Sequence, residues 1–328
     1  MDVWHDKLGD RWEAVQERWA TWDLGPLLTV AVFLFLLALA GIGWFWSREP
    51  AVLVLDGEPG ARRGLVLSRA LVQVSSVLVD KPGGYLRNDV LPPGLLMDNM
   101  PAWELGVLRQ VRDLSRSLHR DMSLSHAQFI EDKDMAAAED AFNINPDAWM
   151  FPSAESGIAD GTEAVGRYAD RLARGEAFFH ARELYLRRWL GDVDASLGML
   201  STRLNAALPD HAVLMPSQGE ALPHVQETSW WQIDDVFYEA RGSAWALLHL
   251  LKAVEAEFGP ELKQRQALLS LRAAIHELEA TQQALWSPVV LNGSGFGLFA
   301  NHSLVMANYL NRAQTDLSDV RALLKDAE

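Results

Sequence analysis

The sequence predicts an all-α protein, an antiparallel helical bundle domain behind one N-terminal transmembrane helix. Three observations carry that expectation. Residues 27–46 read LLTVAVFLFLLALAGIGWFW, twenty residues with no charge and a single hydroxyl. Beyond them, apolar side chains recur every three or four residues along most of the chain, which is the period of a helix face. Strand-like alternation is scarce. Only Ala51 to Leu55 and Leu65 to Val79 are valine-rich enough to suggest it, and the second also fits a helix.

The chain opens with an arm, residues 1–24. Trp4, Leu8, Trp12, Val15, Trp19 and Trp22 step by three or four, so all six share one face of a helix. Asp6, Asp10, Glu13 and Glu17 fall on the opposite side. Such a stripe suits a partner helix or a second copy of the arm. It also suits the membrane interface, where indole rings settle, although anionic headgroups repel an acidic arm. An isolated helix of this length is marginal in water, so an unordered arm is the third reading.

Residues 25–47 form the expected span, since a bilayer core needs roughly 20 apolar residues in a helix. A cleaved signal peptide or a buried core helix is the alternative. A signal peptide has a short basic leader, whereas the segment before this run carries Asp2, Asp6, Asp10, Glu13, Glu17 and Asp23 against Lys7, Arg11 and Arg18. Gly25-Pro26 reads as the joint between arm and span. Orientation is not set by charge: Lys7, Arg11 and Arg18 on one side are matched by Arg48, Arg62 and Arg63 on the other. A large C-terminal domain behind an N-terminal anchor favours an N-terminus inside and a translocated domain, which in a bacterial inner membrane would be periplasmic.

Residues 48–64 read as a stalk and residues 65–328 as the helical domain, with 65–208 and 230–328 as possible sub-bundles. Helical periodicity runs through Trp103 to Leu118, Ala177 to Leu208, Val236 to Phe258, Leu262 to Leu285 and Leu304 to Leu324. Lys81-Pro-Gly-Gly84 and Leu91-Pro-Pro-Gly94 mark turns. Glu131 to Pro152 reads as a connector with a short helix, and Pro209 to Ser229 as a long loop. The net charge of −15 does not suit nucleic acid, and the absence of cysteine excludes disulfides and thiolate metal sites.

No catalytic constellation stands out, and no cofactor or metal is implied. The nine histidines show neither His-x-x-x-His nor His-Glu-x-x-His spacing. His249 and His302, among apolar neighbours, read as core residues. Asp235 and Glu239 are four apart at a helix start, so their carboxylates share a face. That geometry serves acid–base work or cation binding, while the helix dipole is the simpler explanation for acids there. Asn292-Gly-Ser-Gly-Phe-Gly297 leads into Asn301-His302-Ser303 at the head of a helix, without the lysine of a phosphate loop. Tyr85, Asn88, Asp89, Asp98 and Asn99 lie on a loop stiffened by proline. A ligand pocket, if there is one, is therefore expected around Tyr85, Asn99, Asp235, Glu239, Asn301 and His302. The partners expected are the membrane and a protein, either another chain or a second copy.

Three strings are distinctive: Asp80-Lys-Pro-Gly-Gly-Tyr-Leu-Arg-Asn-Asp-Val-Leu-Pro-Pro-Gly94 with its continuation Asp98 to Gly106, Asp234-Asp-Val-Phe-Tyr-Glu-Ala-Arg-Gly242, and Leu291 to Ser303. With these the chain resembles DUF2333, a bacterial domain-of-unknown-function family. The resemblance implies an N-terminal membrane segment and a helical body. It brings no activity, cofactor or catalytic residue, and it leaves the tryptophan stripe outside its reach.

Overall fold

The computed structural model describes residues 24–54, 61–123, 131–206, 233–283 and 302–325. Within them there are nine α-helices and no strand. The arm residues Trp4, Leu8, Trp12, Val15, Trp19 and Trp22, and also Asn301, lie outside the described residues.

Helix α1 (Leu24–Trp46) takes in the apolar run. Gly25-Pro26 falls in its first turn, where proline removes no helical hydrogen bond. From Gly25 to Trp46 it is long and apolar enough to cross a membrane, and none of its apolar window is buried against protein. A core helix of a soluble domain would be covered.

The described residues from Trp46 onward make a second compact unit with one hydrophobic core. It contains α2 (Leu65–Asp80), α3 (Asn99–Ser117), α4 (Lys133–Phe142), α5 (Ala154–Arg174), α6 (Glu183–Ala206), α7 (Ile233–Gln264), α8 (Leu268–Ala280) and α9 (His302–Leu323). Leu65 to Val79 is helical. Leu67, Leu71, Val74 and Leu78 repeat at three and four on the buried face of α2. Residues 51–54 have no regular structure.

Cross-links show that neighbouring helices run antiparallel. Along α7 and α8, Arg241 meets Thr281, Lys252 meets Glu279 and Arg272 meets Glu255. Along α6 and α9, Ser201 meets Asn311 while Asp194 meets Arg321. Along α4 and α5, Asp134 pairs with Arg171, while Ala141 and Gly157 are apposed.

Helix α7 is buried on every side from Ala240 to Leu251, as expected of a helix apolar all round. Its main neighbour is α3, and the two backbones nearly touch. A Cβ on Gly242 would stand 2.8 Å from the carbonyl carbon of Trp103, and one on Gly106 would stand 2.7 Å from the Ser243 nitrogen. The Ser243 hydroxyl donates to the Gly106 carbonyl at 3.1 Å, and the Trp103 and Trp245 rings lie 5.2 Å apart.

Three elements depart from the expected pattern. Helix α5 is not marked by large apolar residues, because its buried face is built from Ala154, Gly157, Gly161, Ala164 and Ala169 around Ile158, Val165 and Tyr168. Ser153 caps it by accepting the Ser156 N–H, and Gly175 closes it with φ of 78°. The run Leu262 to Leu285 is broken after Gln264. Gln266 takes φ of 59°, and the Ala267 N–H returns to the Leu262 carbonyl, a left-handed helix stop in which glutamine stands where glycine is usual. Helix α6 starts at Glu183 rather than Ala177. The preceding chain packs across the bundle, with the His180 N–H bonded to the Met122 carbonyl and Phe179 against Phe258.

The first part of the expected stalk lies against the domain. Trp46 and Leu53 pack on the core, Glu49 pairs with the buried Arg241 at 2.7 Å, and the Leu53 N–H donates to His249 Nε2 at 2.8 Å. His249 is fully buried, and its Nδ1 donates to the Trp245 carbonyl at 2.6 Å. Both ring nitrogens are thus used by the neutral form. Burial lowers its pKa to about 4 from 6.5.

Candidate functional site

A polar cleft of about 380 Å³ opens where the start of α7 meets α3 and the loop before it. Arg87, Asp98, Arg109, Arg203, Asp235 and Glu239 line it.

The cleft depends on a buried knot beneath it. Lys81 and Glu104 form an ion pair at 2.6 Å with almost no exposure on either side. The Glu104 carboxylate also accepts the N–H groups of Leu86 at 3.0 Å and Arg87 at 2.9 Å. This fixes the loop after α2, and with it Arg87, on the side of α3. Burial raises the Glu104 pKa, opposed by Lys81 and by those two N–H donors. Arg87 also pairs with Asp147 at 2.9 Å.

Glu239 is the buried acid of the cleft wall. Arg203 pairs with it at 2.8 Å, and Arg109 closes on its other oxygen. The acids of the first turn of α7, Asp234 and Asp235, sit where the helix dipole favours them. Glu239 is a turn further in, so its two arginines account for it instead. Burial, then the neighbouring guanidinia of Arg203, Arg87 and Arg112, holds Arg109 below the usual arginine range. Burial, then Asp234 and Asp98, raises Asp235 above the usual carboxylate range. Three guanidinium groups face three carboxylates, so the cleft is balanced in charge and rich in forked donors.

The expected pocket residues are placed as follows. Asp235 and Glu239 share the cleft, and the loop expected to meet them does so through Arg87 and Asp98. Tyr85 does not line the cleft: it is fully buried beneath the loop, and burial raises its pKa. Asn99 begins α3 beside the cleft, its N–H bonded to the Asp98 carboxylate at 2.8 Å, with its side chain outside the lining. His302 begins α9 with its ring 6.3 Å from Phe237, away from the lining, and burial lowers its pKa. Asn301 and the glycine-rich turn before it lie outside the described residues. The sequence reading does not anticipate Arg109 and Arg203. Their only signal is that a helix-borne acid pair turned inward needs cations, and these come from positions 130 and 36 residues earlier than Glu239. Among the described residues no group of three or more histidines and acids could hold a metal ion.

The fold defines an all-α domain that follows one helix long and apolar enough to span a membrane. The chain belongs to DUF2333, a family described as uncharacterized proteins conserved in bacteria, whose model matches residues 15–327. The match begins at Val15, so it takes in Val15, Trp19 and Trp22 of the tryptophan stripe and goes beyond the reach of the sequence resemblance. No curated protein and no solved structure matches the chain.

Proposed function

We propose that this is a single-pass protein of the bacterial inner membrane whose helical domain, on the periplasmic side, serves as a non-catalytic interaction scaffold. The observation that carries the proposal is α1, an apolar helix of membrane-spanning length with none of its apolar window covered by protein. The acidic segment before it argues against a cleaved leader. The striped arm supplies the contact surface for a protein partner or a second copy. The test is made on full-length protein in membranes. Resistance to carbonate extraction together with protease access from the periplasmic face supports the proposal, and release into the soluble fraction refutes the anchor. Crosslinking should recover a partner or an oligomer that is lost in Trp12→Ala/Trp19→Ala, and a strictly monomeric chain indifferent to those changes refutes the scaffold.

The arginine–carboxylate cleft favours a second reading, a receptor for a small ligand bearing carboxylate or amino groups. A thermal-shift screen with amino acids and dicarboxylates discriminates between the two. A stabilising ligand whose effect vanishes in Arg203→Ala selects the receptor.

A further inference from the structure

Two adjoining loops, bracketed by Asp89, Asp98 and Asp147, give the domain an exposed apolar patch. One is residues 90–97, VLPPGLLM, and the other is residues 148–152, AWMFP. They are tied side by side: Asn88 Nδ2 donates to the Ala148 carbonyl at 2.9 Å, and Arg87 pairs with Asp147 at 2.9 Å. Leu91 and Leu96 are 73% and 76% exposed, Trp149 is 57% exposed and Phe151 fully so, with Leu95 and Met150 beside them. Together these side chains present on the order of 900 Å² to solvent, against ~300–600 Å² for the largest patch on a typical soluble monomer.

We infer that this patch is seated in the headgroup–acyl boundary of the bilayer that α1 crosses. The inference rests on the anchored reading above. Three features favour lipid as the occupant. The apolar run ends at Trp46, and the Trp46 ring packs on the turn after α2, 2.7 Å from where a Cβ on Gly83 would stand. Trp46 thus packs against a turn only seven residues of chain before the first loop. Part of the first loop's backbone also satisfies its own hydrogen bonds. The N–H groups of Leu95, Leu96 and Met97 bond to the carbonyls of Leu91, Pro93 and Gly94, and Pro92, Pro93 and Pro152 carry no N–H. The residue types are those of an interface, with an indole among aliphatic and phenyl side chains. Neither loop carries a charge, so seating needs no anionic lipid and is compatible with an acidic domain.

The chain contains no cysteine, so single cysteines can be introduced into an otherwise native background. The experiment places a nitroxide label at Leu96→Cys or Phe151→Cys in the full chain, reconstituted in phosphatidylcholine nanodiscs. Leu34→Cys reports the span, and Leu269→Cys reports an exposed leucine elsewhere on the domain. Relaxation by oxygen, which concentrates in lipid, is compared with relaxation by a water-soluble nickel chelate. Labels at 96 and 151 that gain oxygen access and lose nickel access, as at 34 and unlike 269, support the inference. Labels at 96 and 151 that stay open to nickel while 34 is protected overturn it and leave the anchor standing. Nickel access at 34 overturns the anchored reading itself. Labels at 96 and 151 shielded from both reagents, or broadened by a second label nearby, assign the surface to a protein or a second copy and overturn the lipid assignment.

Discussion

The contact between α3 and α7 makes a sharp prediction for Gly242→Ala. In a helix interior, alanine is favoured over glycine by about 0.5–1 kcal/mol. Here the added Cβ would stand 2.8 Å from the Trp103 carbonyl carbon and closer still to its oxygen. Carbon atoms pack at about 3.5–4.0 Å, so α3 and α7 must part by roughly 1 Å, and a gap of that size forfeits up to about half of each contact's attraction. The obstacle is the backbone of Trp103, a fully buried residue, not the end of a flexible side chain. Overpacking costs about 1–3 kcal/mol, and with rigid backbone on both sides the upper end applies. After the propensity gain the net loss is roughly 2 kcal/mol. For a domain of this size that lowers Tm by about 4 °C, at ~2 °C per kcal/mol. Gly166→Ala is the internal control: it lies in α5 with nothing within 4 Å of the added carbon, so it should raise Tm by about 1–2 °C. Thermal melts of the two variants, followed by circular dichroism and by intrinsic tryptophan fluorescence, give the comparison. If Gly242→Ala stabilises the protein as much as Gly166→Ala does, the close-approach argument fails.

Three further outcomes are expected. Because the folded pKa of His249 is depressed to about 4, its contribution to stability is complete above the unfolded value of 6.5 and is lost as pH falls from there towards 4. The total is about 3 kcal/mol, and the loss should be visibly smaller in His249→Gln when Tm is followed across that window. Lys81→Met leaves the Glu104 carboxylate buried without its cation and should cost roughly 3–5 kcal/mol, read by chemical denaturation. Adding Glu104→Gln should recover part of that loss, since the amide oxygen still accepts the Leu86 and Arg87 N–H groups. Arg241→Lys removes the fork that joins Glu49 to the carbonyls of Thr281 and Gln283. It should cost about 2 kcal/mol and speed tryptic cleavage after Arg48. Unchanged cleavage would mean that Glu49 is not what holds that segment down.

Elements whose buried face is made of large residues were legible from spacing alone. Helices α3, α7 and α9, and the apolar α1, follow directly from the repeat of tryptophan, leucine, valine and phenylalanine. Helix α5 escaped although its polar and apolar faces are well segregated, because glycine and alanine make up most of its buried face and only Ile158, Val165, Tyr168 and Leu172 mark the period. The stop after α7 escaped because glutamine occupies the left-handed position that glycine usually marks. Within the cleft, Asp235 and Glu239 were legible as a pair because four residues make one helical turn. Tyr85 was misplaced because a turn rich in proline and glycine reads as surface, whereas the Lys81–Glu104 knot pulls this one inward.

By itself the sequence determined the fold class, the apolar helix and the family, because each rests on a local period or a contiguous string. Tertiary structure alone decided that Glu239 faces Arg109 and Arg203, that His249 closes on Leu53, and that two distant uncharged loops share one exposed patch. These are contacts between residues 36 to 196 positions apart along the chain. Local spacing carries no information about them, because they follow from how close two helix backbones come and from which buried charge needs a partner.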